Sequence, residues 1–221
     1  MKKIRVFILT GSFVFGGTER YLHNLLHNMD REGFECVIGC LEKKGPFRPP
    51  PCFETVEFAE RYHNSALGTL TLLIRLWRFI RRSQFDVVYS THFQTNIYLT
   101  LASIFIPRQV LLLGYRGINR IQGRFGRYAA LMCSRAADIV LVNSMAAADI
   151  FREKIKVNPI KIRLVYNGIK YDSATGQNRW RSPSVNKTRI ICTIGRLHHL
   201  KGHSVLIKAF KKVLSDFLSE R

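Results

Sequence analysis

The chain has 221 residues, of which 35 are Lys or Arg and 15 are Asp or Glu, so its formal net charge is +20. Hydrophobic residues make up 47% of the sequence, which excludes a disordered basic tail and is enough to bury a core. A charge excess of this size predicts a polyanionic neighbour, and nucleic acid, anionic lipid and a phosphorylated substrate all qualify.

Short β-branched runs alternate with longer helical patterns over the first 168 residues. The predicted strands are residues 4–10, 34–41, 86–90, 110–115, 139–143 and 162–166. The predicted helices are residues 19–29, 70–82, 96–105, 125–136 and 146–154. Because the strands are separated by crossover helices, the pattern predicts an α/β fold with a doubly wound, Rossmann-like parallel sheet covered on both faces.

The composition changes after Gly168. Residues 171–188 are polar and predict a linker, whereas residues 189–194 predict a new strand and residues 204–217 a new amphipathic helix. One strand and one helix are too few for a domain of their own. We therefore predict a first domain over residues 1–170, the linker, and the first βα unit of a truncated second domain over residues 189–221.

The five cysteines are odd in number and are never spaced as Cys-x-x-Cys. This usage argues against a disulfide framework or a zinc site and indicates a reducing, cytoplasmic setting. The apolar stretch near the N-terminus is too short for a secretory signal. Residues 87–107 form the longest uncharged stretch, but polar side chains interrupt it, so we expect no membrane-spanning helix.

The first predicted strand runs into a glycine-containing loop, GSFVFGGT at residues 11–18. Its spacing is that of a P-loop, but Gly17 stands where the lysine that reaches the phosphates would be, so an ATPase is not indicated. The first backbone N–H groups of a helix that begins at Gly16 and Gly17 could still hold an anion. The alternative is a tight strand-to-helix turn without a ligand.

Five segments in chain order together resemble family 4 glycosyltransferases. They are GGTE at residues 16–19, DVVYSTH at 86–92, ADIVLVNS at 137–144, VYNGI at 165–169, and IGRL at 194–197 followed by Lys201 and Gly202. The resemblance implies the two-domain GT-B fold and a retaining transferase of the hexosyltransferase type. It also implies a nucleotide-diphosphate sugar as donor and a cell-envelope glycan or lipid-linked sugar as acceptor, at the inner face of the membrane.

The resemblance also implies roles for particular residues. His92 would contact the donor sugar and help to stabilise charge at the reacting carbon. The loop formed by Gly16, Gly17 and Glu19 would hold the acceptor or a phosphate. For His92, a histidine satisfied by local contacts at the end of a strand is the alternative interpretation.

Arg196 and Lys201 lie in the strand-to-helix loop of the second domain, and the resemblance assigns them to the donor diphosphate. A guanidinium and an ammonium suit a leaving diphosphate as its charge develops, although a solvated basic loop has the same composition. No Asp-x-Asp cluster is present, so we expect no metal ion and no cofactor. The glutamate pair that the family carries further along its second domain is missing, so we expect the 221-residue chain alone to be inactive.

Two groups of arginines have no place in the motifs above. Arg75, Arg78 and Arg82 share one side of the predicted helix 70–82, which suits either an anionic membrane or plain solvent. Residues 87–137 contain six arginines and no acidic residue. The candidate acceptor contacts are Arg116, Asn119, Arg120 and Ser144.

The alternative function is a non-catalytic basic module that binds anionic membrane or nucleic acid. Nucleic acid is disfavoured because the basic residues are spread over many elements and no known recognition motif is present.

Overall fold

Seven parallel strands form one sheet in the computed structural model of the chain. The structure describes residues 2–14, 16–42, 44–59, 65–106, 109–117, 121, 123–168, 191–195 and 197–219. The chain divides into two compact units, Met1–Tyr171 and Asp172–Arg221, and the sheet belongs to the first. The strands are β1 (Ile4–Ser12), β2 (Phe34–Glu42), β3 (Glu54–Ala59), β4 (Val87–Ser90), β5 (Val110–Tyr115), β6 (Ile139–Val142) and β7 (Ile162–Leu164).

The sheet has the order β3-β2-β1-β4-β5-β6-β7, and every neighbouring pair is parallel. The connecting helices are α1 (Gly17–His27), α2 (Ala66–Ser83), α3 (Phe93–Ser103), α4 (Arg124–Ala136) and α5 (Met145–Asp149). The order grows outward from β1 in one direction and from β4 in the other. The doubly wound α/β prediction is therefore confirmed.

The two faces of the sheet carry separate hydrophobic cores. Helices α2, α3, α4 and α5 pack on one face, where Phe7, Leu76 and Leu99 are among the fully buried side chains. Helix α1 packs on the other face through Leu22 and Leu26. Strands buried on both faces explain the nearly continuous apolar runs of β1 and β2.

Three elements differ from the predictions. Strand β3 was not predicted; it is an edge strand with exposed glutamates, so its apolar signal is weak. The predicted helix 146–154 is α5 followed by a π-helix, Ile150–Lys154, whose wider turn accompanies the burial of both Phe151 and Ile155. The predicted strand 189–194 is wrong for its described part, since residues 191–194 form no strand.

The second unit holds a 3-10 turn, His199–Lys201, and helix α6, His203–Ser219. A strand needs a partner strand for its backbone hydrogen bonds, and the described part of this unit contains none. This explains why residues 191–194 do not form the predicted strand. Within the unit, the apolar side chains of Leu206, Phe210 and Val213 on α6 are exposed. The predicted linker lies outside the described residues.

All five cysteines are free thiols, and they fall into two groups. Cys36, Cys40 and Cys133 are buried, and burial raises the pKa of Cys36 to about 12 and also raises that of Cys133. Cys52 and Cys192 are exposed.

Because the thiolate is the reactive form, we expect an aromatic disulfide reagent at pH 8 to titrate two thiols rapidly in the native protein and five in denaturant. Three or more rapid thiols in the native protein would contradict the packing of the sheet.

The raised thiol pKa values also predict alkaline destabilisation. An unfolded thiol ionises near pH 8.5, roughly, whereas Cys36 keeps its proton in the folded state until about pH 12. Above the unfolded pKa the native state binds more protons than the unfolded state, so the free energy of unfolding falls as the pH rises. Denaturant unfolding at pH 7, 9 and 10 checks the sign, and Cys36→Ala should flatten the dependence.

Candidate active site

A cleft opens where the strand order reverses. The carboxyl ends of β1 and β4 are neighbours, but the chain leaves β1 through α1 towards β2 and leaves β4 through α3 towards β5. Because the two connections diverge, they leave a cavity of about 440 Å³ between them. The described residues that line it are Gly11, Ser12, Thr18, Leu41, Glu42, Thr91, His92, Phe93, Gln94, Thr95, Arg116 and Gly117.

His92 lies in this cleft directly before the first turn of α3. Its predicted contact with the donor sugar stays a prediction. Its Nδ1 lies 3.0 Å from Thr91 Oγ1, and that hydroxyl lies 3.2 Å from Thr10 Oγ1 at the end of β1. The His92 backbone N–H donates to Thr95 Oγ1 at 3.1 Å. Thr10, Thr91 and Thr95 are fully buried; the hydroxyls of Thr10 and Thr91 hold the imidazole, and Thr95 holds the backbone of His92.

The opposite ring nitrogen of His92 faces an acidic group that comes from α1. His92 Nε2 lies 3.7 Å from Glu19 Oε1, and Glu19 is only 6% exposed. A buried carboxylate is retained where it is paired or hydrogen-bonded, and a protonated imidazole would pair with it. Glu19 was predicted as part of the glycine loop; its approach to His92 was not predicted.

The glycine loop begins α1 and makes room for Glu19. A Cβ atom on Gly16 would lie 2.6 Å from Glu19 Oε2, so any larger residue would push against the buried carboxylate. A Cβ on Gly17, the first residue of α1, would meet nothing within 4 Å. Gly16 is therefore explained by packing against Glu19. The anion-binding role of the two glycines stays a prediction.

Arg116 lies at the end of β5, where contacts from three elements hold its guanidinium. It lies 3.1 Å from the centre of the Tyr21 ring, and it donates to Tyr89 Oη at 3.0 Å and to Asn167 Oδ1 at 2.6 Å. Burial raises the pKa of Tyr89, and the Arg116 charge opposes part of that rise, so Tyr89 stays a neutral acceptor. The fixed guanidinium presents a positive charge to the cleft.

The other predicted site residues lie elsewhere. Ser144 caps α5, because its Oγ accepts from the Ala147 N–H at 3.2 Å, and it is not among the described residues that line the cleft. Lys201 ends the 3-10 turn of the second unit and is exposed; Gly202 after it has φ +70°, a conformation that favours glycine. Asn119, Arg120 and Arg196 lie outside the described residues.

Sequence reasoning missed Tyr21, Tyr89 and Asn167 as partners of Arg116, since aromatic residues in a helix and a strand carry no signal of a cation contact. Among the described residues, no three His, Cys, Asp or Glu side chains form a group that could hold a metal ion. No described helix is long and apolar enough to cross a membrane.

A parallel sheet of this order, with a polar cleft at its reversal point, defines the class as a Rossmann-like domain. The chain belongs to Glycosyltransferase Family 4, whose family model matches residues 15–173. This match confirms the family that the five segments indicated.

One curated relative is N-acetylgalactosamine-N,N'-diacetylbacillosaminyl-diphospho-undecaprenol 4-alpha-N-acetylgalactosaminyltransferase of Campylobacter jejuni. It is 22% identical over 227 residues, which cover 98% of this chain and 61% of the relative. The present chain thus spans less than two thirds of that protein.

Solved structures share the fold at low sequence identity. A glycosyltransferase from Rickettsia africae has 16% identity and a TM-score of 0.65, covering 96% of this chain and 58% of its own. The apo form of the lipopolysaccharide outer core galactosyltransferase WaaB has 12% identity and a TM-score of 0.63, covering 77% and 47%. Anabaena Alr3699/HepE in complex with UDP and glucose has 18% identity and a TM-score of 0.57, covering 76% and 45%.

The contacts of Arg116 predict a stability effect that needs no assay of function. In Arg116→Lys the ammonium cannot reach Tyr89 and Asn167 together or stack on Tyr21, so we expect unfolding to become easier by about 1–3 kcal/mol. Arg124→Lys, at the exposed start of α4, is the matched control and should stay within about 0.5 kcal/mol of the parent. Chemical denaturation measures both, and equal losses in the two variants would contradict the clamp on Arg116.

Proposed function

We propose that this protein is part of a retaining, metal-independent glycosyltransferase that moves a sugar from a nucleotide-diphosphate sugar to a lipid-linked glycan. Membership of Glycosyltransferase Family 4 supports transfer of a sugar. A relative named for its diphospho-undecaprenol-linked substrate supports the lipid-linked acceptor. A structural neighbour solved with UDP and glucose supports the donor class.

The observation that carries the proposal is the contact between His92 and Glu19 in the cleft. Ligands of doubly wound sheets bind outside the carboxyl ends of the strands, at the point where the order reverses, and His92 stands there. Its imidazole, held by Thr91 on one side and close to Glu19 on the other, would contact the donor sugar and help to stabilise the charge that develops at the reacting carbon. The buried Glu19 carboxylate would orient the ring.

Retention of configuration requires the acceptor to attack from the face that the leaving group departs. In this proposal no side chain of the cleft acts as an attacking nucleophile, and His92 acts by electrostatic stabilisation. The diphosphate that leaves needs cations in place of a metal, and Lys201 and Arg196 are proposed for that role. Arg116 and the N–H groups at Gly16 and Gly17 are proposed to receive the phosphate of the acceptor.

The five free thiols and the lipid-linked acceptor support action in a reducing compartment, at the cytoplasmic face of a membrane. The chain spans 61% of the C. jejuni relative, and the donor and acceptor are proposed here for the whole protein.

A transfer assay tests the role of His92. It uses radiolabelled UDP-sugars and a short-chain prenyl-diphosphate-linked acceptor, with the chain alone and with the chain extended by the segment of the C. jejuni relative that it does not span. We expect transfer only in the extended protein, and His92→Ala should lower kcat about a hundredfold there, because a lost stabilising contact of this kind is worth roughly 3 kcal/mol.

His27→Ala is the matched control, since His27 is an exposed histidine at the end of α1, and it should leave kcat unchanged. Unchanged turnover in His92→Ala would remove the assigned role. Transfer by the chain alone would show that the additional segment is not required.

A further inference from the structure

Of the four helices on one face of the sheet, α2 and α4 carry only positive charge and α3 carries no charge, whereas α5 contains Asp149. Helix α2 contains four arginines and helix α4 contains three, and neither these helices nor α3 contains an aspartate or a glutamate. Arg78, Arg82 and Arg127 are exposed. A solvated helix surface normally mixes the two signs, so a surface of arginines alone indicates an anionic partner.

The same helices also expose large apolar side chains. Leu67 on α2 is 79% exposed, Phe105 after the end of α3 is 82% exposed, and Phe125 on α4 is 80% exposed. Leu70 and Tyr128 add to them. In contrast, no large apolar side chain of α1, on the opposite face of the sheet, is exposed. The combination is therefore specific to one side of the first unit.

These residues belong to one continuous layer. Helix α3 contacts both α2 and α4, and all three pack on the same face of the sheet through one hydrophobic core. We call the exposed residues Leu67, Leu70, Arg78, Arg82, Phe105, Phe125, Arg127 and Tyr128 the α2–α4 surface. It is wider than the single arginine side of α2 that the sequence indicated. Arg75, predicted with that side, donates to the Phe58 carbonyl at 3.1 Å and so is partly engaged by the fold.

We propose that the α2–α4 surface docks on an anionic lipid bilayer. Guanidinium groups bind lipid phosphates in a bidentate manner, and exposed Leu, Phe and Tyr side chains can enter the boundary between head groups and acyl chains. Anionic lipid attracts arginines near the surface, and the attraction is weakened by salt. Nucleic acid would match the charges but offers no apolar environment for Leu67 and Leu70.

The docking surface goes beyond the proposed function, because vesicle binding requires neither donor nor transfer. It also fits the position of the cleft. Crossover helices run antiparallel to the strands, so Leu67, Phe125 and Arg127 lie near the end of the sheet where the cleft opens. His92 precedes α3 at that end, and Phe105 follows α3 at the other.

Vesicle sedimentation tests the charge. The 221-residue protein is mixed with vesicles of phosphatidylcholine alone or with one quarter phosphatidylglycerol, at low and high salt. We expect binding to the anionic vesicles that falls with salt, and Arg78→Gln, Arg82→Gln and Arg127→Gln together should lower the partition coefficient more than about tenfold. The matched control removes three exposed charges outside this surface. It combines Arg20→Gln, Arg31→Gln and Lys44→Gln and should retain most of the binding.

A second variant tests the apolar side chains. Leu67→Ser, Phe105→Ser and Phe125→Ser together keep every charge and should weaken binding at high salt more than at low salt. Thermal unfolding of each variant confirms that it is folded. Equal losses in the control and in the charge variant would overturn the proposal, and so would equal binding to neutral and anionic vesicles. Retention of a short RNA without retention of anionic vesicles would assign the surface to nucleic acid instead.

Discussion

The position of the site follows from a constraint on chain connections. A parallel strand must be reached by a crossover, and crossovers of one hand place their helices on opposite faces when they run in opposite directions along the sheet. From β1 the chain moves one way through α1, and from β4 it moves the other way through α3. The carboxyl ends of these neighbours are therefore left uncovered. Glu19 and His92, distant in sequence, come within 3.7 Å of each other because each lies at the start of one of the two diverging connections.

Polar contacts then fix side chains that the backbone only brings near each other. Thr10 and Thr91 are fully buried at the ends of the two central strands, and their hydroxyls lie 3.2 Å apart. Because an unpaired hydroxyl is costly in a buried position, this contact joins β1 to β4 and continues to His92. Arg116 has a similar effect further along the carboxyl ends of the strands, where it joins β5 to Tyr89 of β4 and to Asn167. These buried polar groups must form hydrogen bonds to be stable, and the same hydrogen bonds fix the side chains of the cleft.

Periodicity and motif order were enough to predict the sheet. They were not enough to predict the side-chain contacts between segments that are distant in sequence. Strand β5 has the predicted bounds because its apolar run is long and β-branched at its start. Strand β3 was missed because an edge strand tolerates the glutamates that weaken its pattern. His92 could be placed at the cleft from its position after a strand, whereas its pairing with Glu19 depends on side-chain packing around Gly16. Ser144 shows the converse: it lies two residues after the end of β6, and its hydroxyl caps α5.

The side of the first unit formed by α2, α3 and α4 is basic and partly apolar, whereas the side formed by α1 exposes no large apolar side chain. The topology relates this difference to the position of the cleft. Helices α2, α3 and α4 come from connections that all run in one direction, so they form one layer, and this layer carries the arginines of α2 and α4. The N-terminal ends of these helices lie at the same end of the sheet as the cleft. A lipid-linked sugar stays within a short distance of the bilayer, and a protein held flat by this layer would keep its cleft at that height. Adsorption would then replace a search in three dimensions by one in two, which is how a basic surface far from the reacting atoms can serve a reaction in the cleft.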